Sequence, residues 1–575
     1  MQHITGLSDE GDGVGKLEGE YGASVQVQVP FALPGEHLKV EVWDRDLVAS
    51  AKWKASAMVP KWPVFGSSLE VLAPSEHRVA PLCTKFFGAC GGCRLQHLAY
   101  AQQLRHKQAR VAELFSGRSH SPAMQLRDII GARNEQAEGA DAGVYHYRNK
   151  MEFTCSTGRW LLDRDKSERL PEDGDANAAP AQPFPFTIGL FPVPSTSVRR
   201  AREVGGKRRR GKSSSASWSP RILSIDECAL QDGAANRVLR LLAARLEAAG
   251  VAAYDFQANR GFLKQLVVRR GVNAREQRVE LMIGLVTTAL DGEQSVVLQT
   301  AVDAFLADFA AAGDGSDATR VVSVVQRLDD QSHREQQARS GSETAAAAPR
   351  ERTLVGDAFF HDSVLGHTFQ VSFDSFFQPN TVQAARLYSE IRAAVAASWG
   401  DVGSAAASDK PPVVWDLFCG VGSIGICVAA LGAKVVGFEI VEAAVERARA
   451  NARLNGFADA AMQFFAVDLA KPWDENEWSS AVEAPDVVIV DPPRAGLHRK
   501  LVKTLRRLAP PRICYVSCNP ETQARDLELL CGAGVDDDSG LAAYDVEFLQ
   551  PVDMLPHTPH IETIAWLSKC PASLL

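Results

Sequence analysis

Over residues 1–60, apolar and polar side chains alternate in short runs, Ser24-Val25-Gln26-Val27-Gln28-Val29 and Leu38-Lys39-Val40-Glu41-Val42-Trp43. Turn formers break the pattern at Gly11-Asp12-Gly13 and Pro34-Gly35. A period of two bounded by turns predicts half-buried strands, and several of them in so short a segment predict a small β-barrel. A helical pattern follows from about Leu95 to Phe115, with basic positions at Arg105, Lys107 and Arg110. Strand-like runs come next at Tyr147–Cys155, Phe186–Phe191 and Leu263–Arg270. Between them, Glu172–Gln182, Arg199–Ser217 and Asp329–Arg350 are polar, small-residue-rich or charge-rich. Such segments bury too little apolar surface to order themselves and read as disordered insertions. The second holds Lys207-Arg208-Arg209-Arg210 and Lys212, which reads as a solvated basic loop.

From Phe369 the pattern changes. Strands at Val413–Phe418, Lys434–Phe438, Ala461–Val467, Val487–Val490 and Ile513–Val516 alternate with helices such as Gly425–Leu431 and Val441–Leu454. Strands alternating with helices imply a doubly wound parallel sheet. The expected fold class is therefore multidomain: a small amino-terminal β-barrel (1–60), an α+β central domain carrying the insertions (61–368) and a Rossmann-like α/β domain (369–575).

Composition narrows the class. The chain has 575 residues, 46% hydrophobic and 23% charged, with a net charge of −8. That length exceeds one core, and the charge excludes a chain that is basic throughout, so any RNA contact must come from local basic patches. No apolar run approaches the roughly 20 residues a membrane helix needs, and no secretory signal is visible, so a cytoplasmic protein with no membrane association and no obligate protein partner is expected. The eleven cysteines form no compact disulfide framework. Those that cluster read as metal ligands or catalytic thiols.

The run Asp416-Leu-Phe418-Cys-Gly420-Val-Gly422-Ser-Ile-Gly425 takes a strand through a glycine turn into a helix, where backbone can approach a ligand closely. Its spacing resembles the S-adenosylmethionine-dependent methyltransferase type more than the dehydrogenase type. Glu439 ends the second strand, suited to a ribose diol, and Asp468 follows the third, suited to the adenine region. Asp491-Pro-Pro-Arg494 closes the fourth, where a transferred methyl would sit.

A methyltransferase acting on oxygen or nitrogen needs no thiol, because the acceptor already has a lone pair. Carbon 5 of a pyrimidine does not, and a thiolate adding to carbon 6 makes it nucleophilic. The scheme also needs a base for the C5 proton. Cys518 in Ile513-Cys-Tyr-Val-Ser-Cys-Asn-Pro520 ends an apolar strand and is placed to be that thiol, while Cys514, Cys419 and Cys427 read as core. The run Y-V-S-C-N-P, followed by Asp553-Met-Leu-Pro-His557-Thr-Pro-His560-Ile-Glu562, resembles the RNA 5-methyluridine methyltransferases that act on transfer or ribosomal RNA. The resemblance implies Cys518 as nucleophile and Glu562 as base. It also implies that Gln378, in Ser375-Phe-Phe-Gln-Pro-Asn380, contacts the methyl donor, with Asp491 between donor and base. His557 and His560 are open between substrate contacts and loop structure.

Cys83-x6-Cys90-x2-Cys93 gives three soft thiolates in a glycine-rich turn, which with a fourth would suit zinc or a [4Fe–4S] cluster. The text F-G-A-C-G-G-C-x-x-Q-H resembles the iron–sulfur branch of the same family. That resemblance implies Cys228 as the fourth ligand, with Cys155 as competitor, and makes the barrel similar to a TRAM-type RNA-binding domain. It also places Arg148 and Lys150 toward RNA. Two other functions compete: an amino-group methyltransferase using Asp491-Pro-Pro, and a non-catalytic RNA-binding protein that keeps the sheet.

Overall fold

The structure, a computed structural model, describes residues 2–18, 24–42, 64–117, 124–132, 143–162, 185–193, 221–312, 318–329, 350–402, 410–471, 482–532 and 541–571. The expected insertions at 172–182 and 199–217, and the 330–349 part of the third, lie outside them. Five strands, β1 (Gln2–Leu7), β2 (Gly13–Glu18), β3 (Ser24–Val29), β4 (His37–Val42) and β5 (Val64–Ala73), close a barrel in the order β1-β2-β3-β5-β4. Alternation builds its interior: Val27 and Val29 pack with Ile4 and Leu38, while Gln26 faces solvent. The closing strand lies past residue 60.

The cysteine-bearing turns at 83–93 lead to helix α1 (Tyr100–Phe115) and a short strand β6 (Gln125–Leu126). The residues from Leu95 to Ala99, expected as the first turn of that helix, form turns instead. The amides of Arg94 and Leu95 are drawn onto the carbonyl of His557, and that of Leu98 closes onto Leu95.

The central sheet has eight strands in the order β14-β13-β12-β11-β7-β9-β10-β8. They are β7 (Lys150–Ser156), β8 (Arg159–Trp160), β9 (Thr187–Leu190), β10 (Ile222–Ser224), β11 (Leu263–Asn273), β12 (Arg278–Thr287), β13 (Thr319–Leu328) and β14 (Glu351–Gly356). Helices α2 (Gly233–Ala248) and α3 (Glu293–Ala311) cover one face. Leu239, Leu242, Phe305 and Leu298 meet Leu266, Val268 and Ile283 there. The hairpin β15 (Phe359–Val364) and β16 (His367–Ser372) and helix α4 (Thr381–Val402) pack on the side of Val267 and Met282.

The last sheet runs β19-β18-β17-β20-β21-β23-β22-β6. Its parallel strands are β17 (Val413–Leu417), β18 (Lys434–Glu439), β19 (Met462–Ala466), β20 (Val487–Val490) and β21 (Arg512–Ser517). They are apolar on both faces because helices cover both: α5 (Ser423–Ala429), α6 (Glu442–Leu454), α7 (Arg499–Leu508) and α8 (Pro520–Leu530). Strand order turns back between β17 and β20, which opens a crevice at the carboxyl ends. The final hairpin, β22 (Tyr544–Val552) and β23 (Glu562–Lys569), threads β23 antiparallel between β21 and β22.

The amino-terminal third is sewn into this sheet. β6 pairs in parallel with β22, and α1 turns Gln103, Lys107, Val111 and Phe115 inward. Lys107, one of the basic positions of the expected helix, is fully buried: its Nζ donates to Asp553 Oδ1 at 2.5 Å and to the Leu555 carbonyl at 3.2 Å. The Tyr100 hydroxyl donates to Asp553 Oδ2 at 2.7 Å. Removing one partner of such a pair strands a charge. Lys107→Met should therefore cost about 3–5 kcal/mol in chemical denaturation, and Lys107→Met with Asp553→Leu should recover most of it.

Candidate active site

The crevice at the carboxyl ends of β17, β18, β20 and β21 gathers most of the expected site residues. β17 ends in the left-handed turn of Phe418 (φ 64°), Gly420 (φ 55°) and Gly422 (φ 80°). Gly425 has no room for a side chain, because a Cβ would lie 2.9 Å from Asp416 Oδ2 and 3.0 Å from Val435 Cγ1. That oxygen accepts the Gly425 N–H at 2.9 Å. Asp416 Oδ1 is buried without a hydrogen-bond partner among the described residues, an acceptor left over beside the turn. Glu439 ends β18 and braces the turn: its carboxylate accepts the N–H of Gly420 at 3.1 Å, Ile440 at 2.8 Å and Val441 at 3.0 Å. Asp468, just after β19, caps the N–H of Ala470 at 3.0 Å.

Gln378 is buried in the loop after β16. Its carbonyl accepts from Asn149 Nδ2 at 2.8 Å, and Phe376 stands exposed beside it. The sequence reading missed the residue that shapes this loop, Arg269. Buried within β11, it donates from Nη1 to the carbonyls of Ser372 (2.8 Å), Phe373 (3.0 Å) and Ser375 (2.9 Å). Burial lowers its pKa to about 10. A charged residue inside an apolar strand run was the available signal, since buried charge is kept only where it is satisfied.

Cys518 follows β21, and Glu562 opens β23. The ladder pairs Ser517 with Thr563, so antiparallel register sets Cys518 beside Glu562. The turn after Cys518 is tied down by Asn519. Its Oδ1 caps Glu521 N at 3.2 Å and its Nδ2 donates to the Arg494 carbonyl at 3.1 Å. Arg494 in turn donates from Nη2 to His560 Nδ1 at 2.8 Å, and its charge favours the thiolate of Cys518. Burial pushes the Cys518 thiol up to about 11, with the Glu562 and Asp491 charges adding to the rise and Arg494 opposing it. Burial raises Glu562 well above the usual carboxylate range, with Asp491 adding and Arg494 opposing. His560 is pressed down to about 4 by burial and by Arg494, so it is neutral. Cys419, Cys427 and Cys514 are all buried in the core.

Cys83, Cys90, Cys93 and Cys228 line a single cavity walled by Phe86, Met151, Leu190, Ile225 and Leu230, with Arg148 beside them. Among the described residues no three His, Cys, Asp or Glu side chains are arranged to hold a metal ion. Cys155 is buried in the core of the central sheet and is not among the residues that line that cavity. Arg148 borders the cavity and bridges through its backbone to Gln231 and Asn380. Lys150 pairs with Glu152 at 2.7 Å.

The electrostatics predict a pH signature. Burial lifts Asp416, with Asp491 and Glu439 adding to the rise, and it lifts Asp491; both reach about 7. Each is protonated below that value in the ligand-free fold, whereas the unfolded chain ionises near 4. These groups therefore erode stability as pH rises from about 4 to about 7. A cationic ligand that needs one of them ionised should gain about tenfold in affinity from about pH 6 to about pH 8, and one that needs both about a hundredfold, with protons released on binding. Calorimetry with S-adenosylmethionine in buffers of different ionisation enthalpy measures both.

A family model described as tRNA (Uracil-5-)-methyltransferase matches residues 364–570. A Chlorobaculum tepidum protein described as an uncharacterized RNA methyltransferase is 31% identical over 503 residues, covering 87% of this chain and 86% of its own. One from Oceanobacillus iheyensis, described in the same words, is 30% identical over 563 residues, covering 98% and 95%. Among solved structures, the Pyrococcus abyssi tRNA (uracil-54, C5)-methyltransferase in complex with S-adenosyl-L-homocysteine has the same fold. It aligns with a TM-score of 0.58 at 23% identity over 99% of this chain and 100% of that one.

Proposed function

The chain belongs to the RNA 5-methyluridine methyltransferase family and is an S-adenosylmethionine-dependent RNA methyltransferase, and from that premise we propose that it methylates carbon 5 of a uridine in transfer or ribosomal RNA. The observation that carries this reading is the β21–β23 register, which with Ser517 opposite Thr563 sets Cys518 beside Glu562, with Arg494 and Asp491 within electrostatic reach of both. An amino-group methyltransferase has no use for a thiol placed there.

In this scheme the Cys518 thiolate adds to carbon 6 of the uracil, and the electron pair of the C5–C6 double bond moves toward the C4 carbonyl as an enolate. Carbon 5 then takes the methyl group from the sulfonium, and S-adenosylhomocysteine leaves. Glu562 removes the proton from C5, the C6–S bond breaks, and the double bond returns with Cys518 released as thiolate. Arg494 stabilises the thiolate. A carboxyl with a raised pKa is suited to the last proton transfer, because it is a stronger base than an exposed one. Asp416, Phe418, Gly420, Gly422, Glu439 and Asp468 would line the place of the methyl donor. Asp491 and Gln378 would sit nearer its sulfonium.

Cys83, Cys90, Cys93 and Cys228 would supply the thiolates of a [4Fe–4S] cluster or a zinc ion: the four soft donors share one cavity with apolar walls and a neighbouring arginine, although they are not drawn together in a metal-holding arrangement. Such a group would tie the 83–93 turns to the segment before α2, and methyl transfer itself calls for no electron. The barrel is read as an RNA-binding module.

Cys518→Ala should abolish methyl transfer, by roughly a thousandfold or more, and form no RNA adduct. Glu562→Gln should instead accumulate a covalent methylated adduct, visible as a shifted band on a denaturing gel. Full activity of Cys518→Ala would turn the reading toward amino-group methylation. Mass spectrometry of RNA from cells lacking the protein identifies the uridine.

A further inference from the structure

The loop 553–561, which joins β22 to β23 and ends at Glu562, is gripped at one residue by the cysteine-bearing segment. His557 holds a left-handed backbone (φ 66°) and is buried. Its carbonyl accepts the N–H groups of Arg94 at 2.9 Å and Leu95 at 3.0 Å, the two residues that follow Cys93. Its own N–H donates to Gln103 Oε1 at 3.0 Å, and Gln103 Nε2 donates to the ring Nδ1 at 3.2 Å. The Tyr145 ring stacks on the imidazole with centroids 4.3 Å apart. Beside it, the Tyr147 hydroxyl donates to the Pro556 carbonyl at 3.0 Å. The next residue, Arg148, borders the cavity of the four cysteines. Cys518 and the glycine turn are carried by other strands, β21 and β17, with Asn519 bracing the first and Glu439 the second.

We propose, resting on the roles given above to Cys518 and Glu562, that His557 is a positioning residue through which the cysteine-bearing segment sets the place of Glu562. Removal of the C5 proton, and not thiolate addition or methyl transfer, is then the step that depends on that segment. Glu562 follows His557 by five residues; the turn around His557 closes through the Thr558 hydroxyl donating to the Leu555 carbonyl at 2.8 Å, and the same hydroxyl oxygen accepts the His560 N–H at 3.3 Å on the way to Glu562. Only a residue tolerant of positive φ presents the 557 carbonyl to both amides. Asparagine adopts that conformation readily, whereas a β-branched residue is a genuine outlier there.

The test follows single-turnover reaction of full-length protein with RNA carrying tritium at carbon 5 of the uridine. It measures covalent methylated adduct on a denaturing gel and tritium release. His557→Val should form adduct within about twofold of the wild-type rate but slow tritium release by about tenfold or more, so that adduct accumulates. His557→Asn should restore release, and Cys93→Ser should behave like His557→Val. The proposal is overturned if His557→Val slows adduct formation and release equally, if its rates match wild type, or if Cys93→Ser loses only RNA affinity. Should His557→Val fail to fold by thermal melt, Tyr145→Leu carries the same test: adduct accumulation supports the proposal and its absence overturns it. A wild-type protein that forms no adduct, or a Cys518→Ala variant that still releases tritium, overturns the underlying assignment of nucleophile and base instead.

Discussion

The site depends on the register of one strand pair. β23 runs antiparallel to β21 with Ser517 opposite Thr563, and that pairing brings a thiol and a carboxyl distant in sequence to neighbouring positions. A slip by one residue would send every β23 side chain to the opposite face. The register is held from both sides, since β23 also pairs with β22 from Tyr544–Lys569 to Val552–Glu562. Gln523 of α8 adds a lock, donating to the Tyr515 and Thr563 carbonyls at 2.9 Å and 3.3 Å.

Around that pair the protein concentrates acids with little to neutralise them. Asp491 raises the proton affinity of Asp416 and of Glu562 on top of the effect of burial, Glu439 adds to the rise at Asp416, and Arg494 is the cation that opposes it at Glu562 and Cys518. Such a site stores unfavourable charge that a positively charged ligand relieves, which makes binding and ionisation one event. Electrostatics of this kind weaken the empty fold in order to sharpen the response to its ligand.

Much of the catalytic half was legible because its signals are local. The glycine turn, the acids at successive strand ends and the strand preceding Cys518 each lie within a short window, and a doubly wound parallel sheet follows from alternating strands and helices. What escaped was long-range. Lys107 looked like one basic position among several on a helix, yet its partner Asp553 is far down the chain. Arg269 sat in a strand run with no hint that three carbonyls of a distant loop would surround it. His557 could be read as a substrate contact or as a loop residue. Only the fold shows its carbonyl between two amides and its ring under Tyr145. Of the four cysteines, three are a local pattern, while Cys228 is implied by the family resemblance alone and its approach to the others belongs to the tertiary structure.

The sewing of β6 and α1 into the last sheet has a consequence for how the chain comes to be folded. A ribosome delivers residues 100–126 long before residues 544–562, yet Lys107 of α1 and the pairing edge of β6 find their partners only in that later stretch. Until then Lys107 must stay in water, and the amino-terminal third cannot complete its own burial. Domains that close independently can fold in the order of synthesis; here an early segment has to wait. The hairpin of β22 and β23, made after α1 and β6, is the piece that finishes the sheet and brings Glu562 to Cys518, so these two side chains meet only after the segments before it have been made.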